Sequence, residues 1–380
     1  MKWILIITIS FLIFFIHCSP SANEKDESTI ILEESHRFID LNPIKEKSIF
    51  VENLDFPRIF LEGNKIFVNG PSLKSKREYN LYIFDKDLNL LFERIFSIGQ
   101  GPGELGGGPY FFTAGDKIYV TDNTQRRINI FNKDFNFIKF VNLDFTFNSP
   151  IFNKDGKFFI FVTLQAGKYG PNSSFSVYLA NFPGLERKLI HQFHEFDCLL
   201  EEKKELILDN GAIHYFLKNE KIYLLDKDRY LLTIRNIKGK LEKQVKVKVK
   251  KIPITKDNQD LWLKEQMGIN RYLSQLRTKI RFSEFVQPCA WMIPLEKGFV
   301  VIRKKGYSVL CQELVEADYF DYDLNLLGKV KFPCFNEIFR LRRQIFLQYC
   351  DIRSGILYLV NNVKNEDDEI IALEKWRISE

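Results

Sequence analysis

The sequence predicts an all-β chain folded as a six-bladed β-propeller of four-stranded antiparallel blades. Three observations carry that prediction. One short strand pattern recurs six times, a strand–turn–strand pattern follows most copies, and the composition can fill a large core. The chain has 380 residues, 45% of them hydrophobic and 36 of them Phe, which suits one large closed all-β domain and argues against disorder.

The lead strands are Lys65-Ile66-Phe67-Val68, Lys117-Ile118-Tyr119-Val120, Lys157-Phe158-Phe159-Ile160, Lys221-Ile222-Tyr223-Leu224, Gly298-Phe299-Val300-Val301 and Ile356-Leu357-Tyr358-Leu359. Each is short, rich in β-branched and aromatic residues, and preceded by a turn-forming Gly, Asn or Asp. Their register predicts that Phe67, Tyr119, Phe159, Tyr223, Val300 and Tyr358 occupy equivalent positions. A four-stranded blade needs about 40–50 residues, so the longer spacings must carry insertions.

Behind the lead strands, Ile83-Phe84-Asp85-Lys86-Asp87-Leu88-Asn89-Leu90 has a near copy in Ile130 to Phe137 and a third in Tyr319 to Leu326. Ile234 to Leu241 is a weaker fourth. The pattern reads strand, tight turn, strand, because Asp and Asn bond their own backbone and tolerate unusual φ. Repeated meanders of this kind bury both faces only by stacking around an axis, which also leaves short, protected edges. Ile30 to Phe60 holds further strand-like runs. One of them is expected to join the last blade, so that both chain ends close the ring in one sheet.

Residues 118–132 add a resemblance. Ile118-Tyr119-Val120-Thr121-Asp122 followed by Arg127-Ile128-Asn129-Ile130-Phe131-Asn132 resembles the NHL-type propeller repeat, and Gly99-Gln100-Gly101-Pro102-Gly103-Glu104-Leu105 is similar to the Gly-x-Gly-Pro-Gly-Glu-Phe signature of bacterial six-bladed propeller lipoproteins. The close match spans about Arg94 to Phe140. It implies the fold and leaves the ligand unspecified.

Two segments break the β pattern. Thr255 to Ile280 reads as a helical insertion, with Ile269, Leu273, Leu276 and Ile280 at helical spacing, Lys264, Arg271 and Lys279 elsewhere, and Asp257 or Asn258 as cap. Insertions of this kind fall in propeller loops, often on the binding face. Cys334 to Cys350, with Arg340, Arg342 and Arg343, fits either a helix or a strand.

At the N-terminus, Met1-Lys2-Trp3 is followed by an apolar run from Ile4 to Ile16, then by Cys18 and a polar stretch. The run suits a signal-peptide core of about 7–15 residues and is too short for a membrane-spanning helix of about 20. Hydrophobic run, Cys and polar tether resemble a bacterial lipoprotein signal, which implies diacylation of Cys18. His17 stands where that family carries a small residue, and cleavage after Ser21 or a retained N-terminal anchor are the other readings. The expected organisation is a signal with its lipidated Cys at 1–18, a tether at 19–28, and the propeller over 29–380 with its insertion at about 255–280.

Candidate chemistry is sparse. Six glycines between Gly99 and Gly108 would suit an anion nest, but no P-loop or dinucleotide context accompanies them, and an inter-blade structural loop is the better reading. Asp122 and Arg127 are expected to form an internal salt bridge. His191 and His194 are three apart, so on a strand they face opposite ways and share no metal. Lys246, Lys248 and Lys250 alternate with Val245, Val247 and Val249. This is expected of an outer strand whose lysines discourage edge pairing. Besides Cys18, the cysteines Cys198, Cys289, Cys311, Cys334 and Cys350 show no CxxC spacing. They read as buried small hydrophobes, with one disulfide among the last four as the sharper alternative. A net charge of +6, from 55 Lys+Arg against 49 Asp+Glu, is too small to call for nucleic acid.

These readings converge on an envelope-anchored binding or scaffold module for a protein, peptide or glycan. It is expected to be monomeric and tied to the membrane by its lipid, with no metal, no cofactor and no catalytic residue identified. The alternative is a propeller enzyme, a lyase or hydrolase with its site at the mouth of the central channel.

Overall fold

In the computed structural model, the runs of β-branched and aromatic residues form 28 strands among the described residues. The structure describes residues 29–379 except 55–57, 63, 107–108, 146–147, 153–157, 166–173, 182–185, 194–198, 201–204, 209–212, 258, 261–278, 283, 304–313, 334–349, 354 and 366–367.

Two strands precede the blades, β1 (Ile30–Leu32) and β2 (Ile44–Val51). Blade 1 is β3 (Arg58–Glu62), β4 (Lys65–Pro71), β5 (Glu78–Asp85) and β6 (Leu90–Ser97). Blade 2 is β7 (Tyr110–Ala114), β8 (Lys117–Asp122), β9 (Arg127–Asn132) and β10 (Phe137–Asn142). Blade 3 is β11 (Asn148–Phe152), β12 (Phe158–Gln165), β13 (Ser174–Asn181) and β14 (Arg187–Phe193). Next come β15 (Leu199–Leu200) and β16 (Glu205–Leu208). Blade 4 is β17 (Ile213–Lys218), β18 (Lys221–Asp226), β19 (Leu231–Asn236) and β20 (Leu241–Val247). After β21 (Lys279–Phe282), blade 5 is β22 (Cys289–Pro294), β23 (Gly298–Arg303), β24 (Leu314–Asp321) and β25 (Leu326–Pro333). Blade 6 starts with β26 (Cys350–Arg353), β27 (Ile356–Asn365) and β28 (Asp368–Arg377). Within each blade, successive strands pair antiparallel.

The six marker residues all lie in the second strand of their blades. The first-strand partners of Phe67, Tyr119, Tyr223 and Val300 are Phe60, Phe112, Phe216 and Ile293. Three of these pairs are stacked aromatic rungs, with centroids 4.4, 4.8 and 4.6 Å apart for Phe60–Phe67, Phe112–Tyr119 and Phe216–Tyr223. The apolar cores form between blades, not within them. One joins Phe67, Leu81 and Phe96 of blade 1 to Phe111, Val120 and Phe131 of blade 2, and another joins Tyr223 and Leu232 to Met292 and Phe299. That sharing makes the ring, and not the blade, the unit that buries its apolar surface.

All four copies of the turn pattern fold alike. The side-chain oxygen of Asp85, Asn132, Asn236 or Asp321 accepts from backbone amides two and four residues on. The fourth turn residue takes positive φ: Leu88 at 61°, Phe135 at 60°, Leu324 at 60° and Gly239 at 82°. Leu88, Phe135 and Leu324 are buried, so the left-handed strain at those positions is offset by an apolar anchor. These turns also bolt the blades together. Tyr223 donates to the Tyr322 carbonyl and Tyr358 to the Lys86 carbonyl, each at 2.9 Å, from one blade to the turn of the next. Lys47, Lys188 and Lys243, on fourth strands, donate to the following blade's turn at Asp87, Lys238 and Asp323.

The ring closes as expected. β2 pairs antiparallel with β28 and becomes the outer strand of blade 6, with Ile44 opposite Arg377 and Val51 opposite Ile371. Before it gets there, the N-terminal segment straps two more blades. β1 adds a parallel strand to the edge of β20, and Phe38 bridges Lys329 on β25. Glu34 ties the strap down, accepting from Lys329 at 2.7 Å and facing Arg303 at 3.5 Å. Burial alone would raise the Glu34 carboxyl, but Lys329 and Arg303 together hold it below its ordinary value.

Two expectations need correction. The valines of β20 do point inward and Lys246 outward, yet the lysines do not keep that edge free, because β1 pairs with it and Lys248 meets Glu33 at 2.7 Å. The strap's short parallel ladder supplies the edge protection instead. The helical insertion is also not found as expected. Lys256, Asp257, Gln259 and Asp260 make a helical turn, with Gln259 N donating to Thr255 O at 3.1 Å. At the other end, Lys279 and Ile280 lie in β21, parallel to β16 in a small sheet with β15. Of the expected apolar stripe, Ile280 thus lies in a strand. Lys264, Ile269, Arg271, Leu273 and Leu276 lie outside the described residues.

Candidate functional site

Strand alternation divides the propeller into two unlike faces. Turns from first to second and from third to fourth strands lie at one end, and the described ones are tight. Connections from fourth strands to the next blade lie at the other end. Among the described residues they include the glycine-rich loop that opens at Ile98 and the stretches 248–257 and 284–288. Long connections on one face of a rigid scaffold are where recognition residues concentrate.

The first strands carry the centre of that face. β26 and β3, β3 and β7, β7 and β11, and β17 and β22 are neighbours around the axis. Arg58, Tyr110, His214 and Trp291 sit at one level on β3, β7, β17 and β22, opposite Asn69, Thr121, Leu225 and Ile302 of their second strands. All four stand nine residues ahead of their blade's marker, a constant offset that would have found them in the sequence. Their differing residue types hid it.

Neighbouring members touch. The Arg58 guanidinium lies 4.0 Å from the Tyr110 ring centre and donates to the Pro109 carbonyl at 2.6 Å. His214 meets Trp291 edge-on at 5.2 Å, and the ammonium of Lys227, from the second-to-third-strand turn of blade 4, lies 4.7 Å over the same indole. Burial first, then the Lys227 charge, holds the His214 imidazole down to about 3. It is therefore neutral, and its Nδ1 has no hydrogen-bond partner among the described residues. Tyr215 beside it is pushed well above the ordinary phenol value, first by burial and then by Tyr110 of blade 2. Tyr79, which donates to Asn69 at 2.9 Å, is raised by burial to about 12 despite the opposing Arg58. Cation–aromatic pairs and a neutral imidazole are recognition chemistry. Among the described residues, no group of three or more His, Cys, Asp or Glu could hold a metal.

The residues singled out by sequence fall elsewhere. Asp122 and Arg127 form the expected pair at 3.4 Å, both buried. Arg127 also donates to the carbonyls of Gln100, Gly101 and Glu104 at 3.2, 3.1 and 2.9 Å. The glycine-rich loop is thus structural. Glu104 accepts from Gly101 N at 2.7 Å and Asp122 from Gly106 N at 2.9 Å, so the protein's own carboxylates occupy those amides. A Cβ at Gly106 would meet the Asp122 carboxylate at 2.0 Å, which explains a glycine there. His191 lies on β14, and His194 is outside the described residues. Cys289 is a buried free thiol whose pKa burial pushes up. Cys350 opens β26, while Cys18, Cys198, Cys311 and Cys334 lie outside the described residues, as do Arg340, Arg342 and Arg343.

The architecture defines a class: a six-bladed propeller with one tight-turn face and one loop-rich face. No protein-family model matches the chain, and no curated protein matches it in sequence. Among solved structures it is similar to a protein of Bacteroides fragilis NCTC 9343 thought to be exported, at 14% identity and TM-score 0.51, over 93% of this chain and 100% of that one. It is also similar to a member of the DUF4221 family from Bacteroides vulgatus, at 13% identity and TM-score 0.50, over 89% and 99%. At these identities the likeness is one of fold.

Proposed function

We propose that this chain is an exported, lipid-anchored propeller that acts as a binding module at the cell envelope, holding a protein, peptide or glycan on its loop-rich face. The observation that carries this reading is the two neighbouring pairs Arg58–Tyr110 and His214–Trp291, at one level of the first strands of blades 1, 2, 4 and 5. Trp, Tyr and Arg are the residue types that dominate binding hot spots. Export is supported by the N-terminal apolar run and by the description of the Bacteroides fragilis neighbour. The lipid is assigned to Cys18, the tether to 19–28, and the blade 2 pair Asp122–Arg127 supports kinship with NHL-type repeats.

Photo-crosslinking in intact envelopes from the loop-rich face tests the binding role. One specific adduct is expected with the wild type and a loss of about tenfold or more with Arg58→Ala/Tyr110→Ala at unchanged melting temperature. An adduct that survives the double substitution would refute this face as the binding site. Labelled palmitate is expected to enter the wild type and not Cys18→Ser, and equal labelling of both would remove the anchor from the proposal.

A further inference from the structure

We propose that the outer edge of blade 4, with the N-terminal strap on it, is a membrane-docking rim that rests on anionic lipid headgroups. The proposal rests on the lipid anchor at Cys18. Its first observation is where the tether enters the fold. Thr29 donates its hydroxyl to Gln244 Oε1 at 2.8 Å, and β1 then runs beside β20 with Ile30 opposite Val245. The ten residues 19–28 therefore join the body on the outer edge of blade 4. From Cys18 to Thr29 the chain spans at most about 40 Å, so a lipid on Cys18 keeps this edge near the bilayer.

The second observation is the chemistry of that edge. Exposed Lys238 and Lys240 lie in the turn that opens β20, and exposed Lys246 lies on the strand itself. Two carboxylates of the same edge are matched by other lysines: Glu242 meets Lys221 at 3.1 Å, and Glu33 meets Lys248 at 2.7 Å. The strap adds apolar side chains. Ile30, Ile31 and Phe38 are 43, 48 and 55% exposed, and the Lys331 ammonium lies 6.0 Å from the Phe38 ring centre.

Lysines around exposed apolar side chains fit the boundary of an anionic bilayer. The ammonium groups meet the headgroup phosphates while the apolar groups enter between them. The outer strands β6 and β10 also expose apolar residues, but each carries a single cation and the tether joins neither. β17, which carries His214, is the opposite edge of the same five-stranded sheet. A bilayer at the rim thus leaves that first strand free for a partner.

Lysine footprinting of the wild type, purified in detergent and reconstituted, tests the rim, and flotation of the same vesicles reads the anchor. In phosphatidylglycerol vesicles, Lys238, Lys240 and Lys246 are expected to be protected from an amine-reactive label by about fivefold relative to Lys76 and Lys133. In phosphatidylcholine vesicles they should react as they do in detergent. Lys238→Glu/Lys240→Glu is expected to restore labelling of Lys246 with flotation and melting unchanged, since both side chains are exposed. Flotation with both lipids but without protection overturns the rim and leaves the anchor standing. Flotation with phosphatidylglycerol alone, with the rim protected, refutes the anchor and leaves the rim standing. No flotation with either lipid overturns both. Protection already present in detergent marks a second copy on this edge and overturns the proposal. Equal protection in the two lipids, or a Lys246 that stays protected in the double variant, also overturns it.

Discussion

Arg127→Ala is expected to destabilise the protein by about 3–5 kcal/mol, because it leaves the Asp122 carboxylate buried without its countercharge. Arg127 has two tasks at once. Its Nε faces Asp122, and its terminal nitrogens hold three carbonyls of the glycine-rich loop. Arg127→Lys keeps the charge and loses the fork, so it should recover part of the stability and little of the loop's order. Thermal and urea melts read the first quantity, and protease cleavage within 98–109 reads the second. Unchanged melting of Arg127→Ala would show that the pair is not what holds blade 2.

Deleting 29–51 is expected to abolish the cooperative folded state, while deleting the tether at 19–28 leaves the melt unchanged. The longer deletion removes the outer strand of blade 6 and exposes the edge of β28. It also strips Leu41 and Val51 from inter-blade cores and leaves Glu374, which pairs with Lys45 at 3.2 Å, without that partner. Each buried aliphatic contributes about 1.5–3 kcal/mol, and the lost ladder and exposed edges bring the total into the range of a whole domain's stability of about 5–15 kcal/mol. Circular dichroism and hydrogen exchange measure the outcome. A truncated chain with wild-type protection in β27 and β28 would show that the ring does not depend on its N-terminal strand.

The repeat was legible because its signals are local. The second strands announce themselves by apolar runs, and the turns by an Asp or Asn followed two and four residues later by the amides it caps. Even the weak copy at Ile234 to Leu241 folds as the others do, with Gly239 taking the conformation that Leu88, Phe135 and Leu324 adopt under strain. Closure by an N-terminal strand was legible from the strand-like runs left over at the start of the chain, which the last blade needs to complete its sheet. The strap was not, because its three-residue parallel ladder is specified by blade 4 and its Phe38 bridge by blade 5, both far away in sequence. The far end of the expected insertion was not legible, because Lys279 and Ile280, spaced as on a helix, pair as a strand with β16. Arg58, Tyr110, His214 and Trp291 escaped because they share a register and no chemistry, so a motif built on residue type passes over them.

The strap also sets an order of events. Residues 30–51 are the first part of the propeller to be made, yet β2 pairs with β28, which begins at Asp368. The seam that closes the ring therefore cannot form until nearly the whole chain has been synthesised. Pairings this distant in sequence are slow to find, so the blades in between must assemble first as an open arc with unsatisfied end faces. The chain thus stays unclosed, and able to be threaded, for as long as its last blade is missing; completing that blade is the step that commits it to the folded ring.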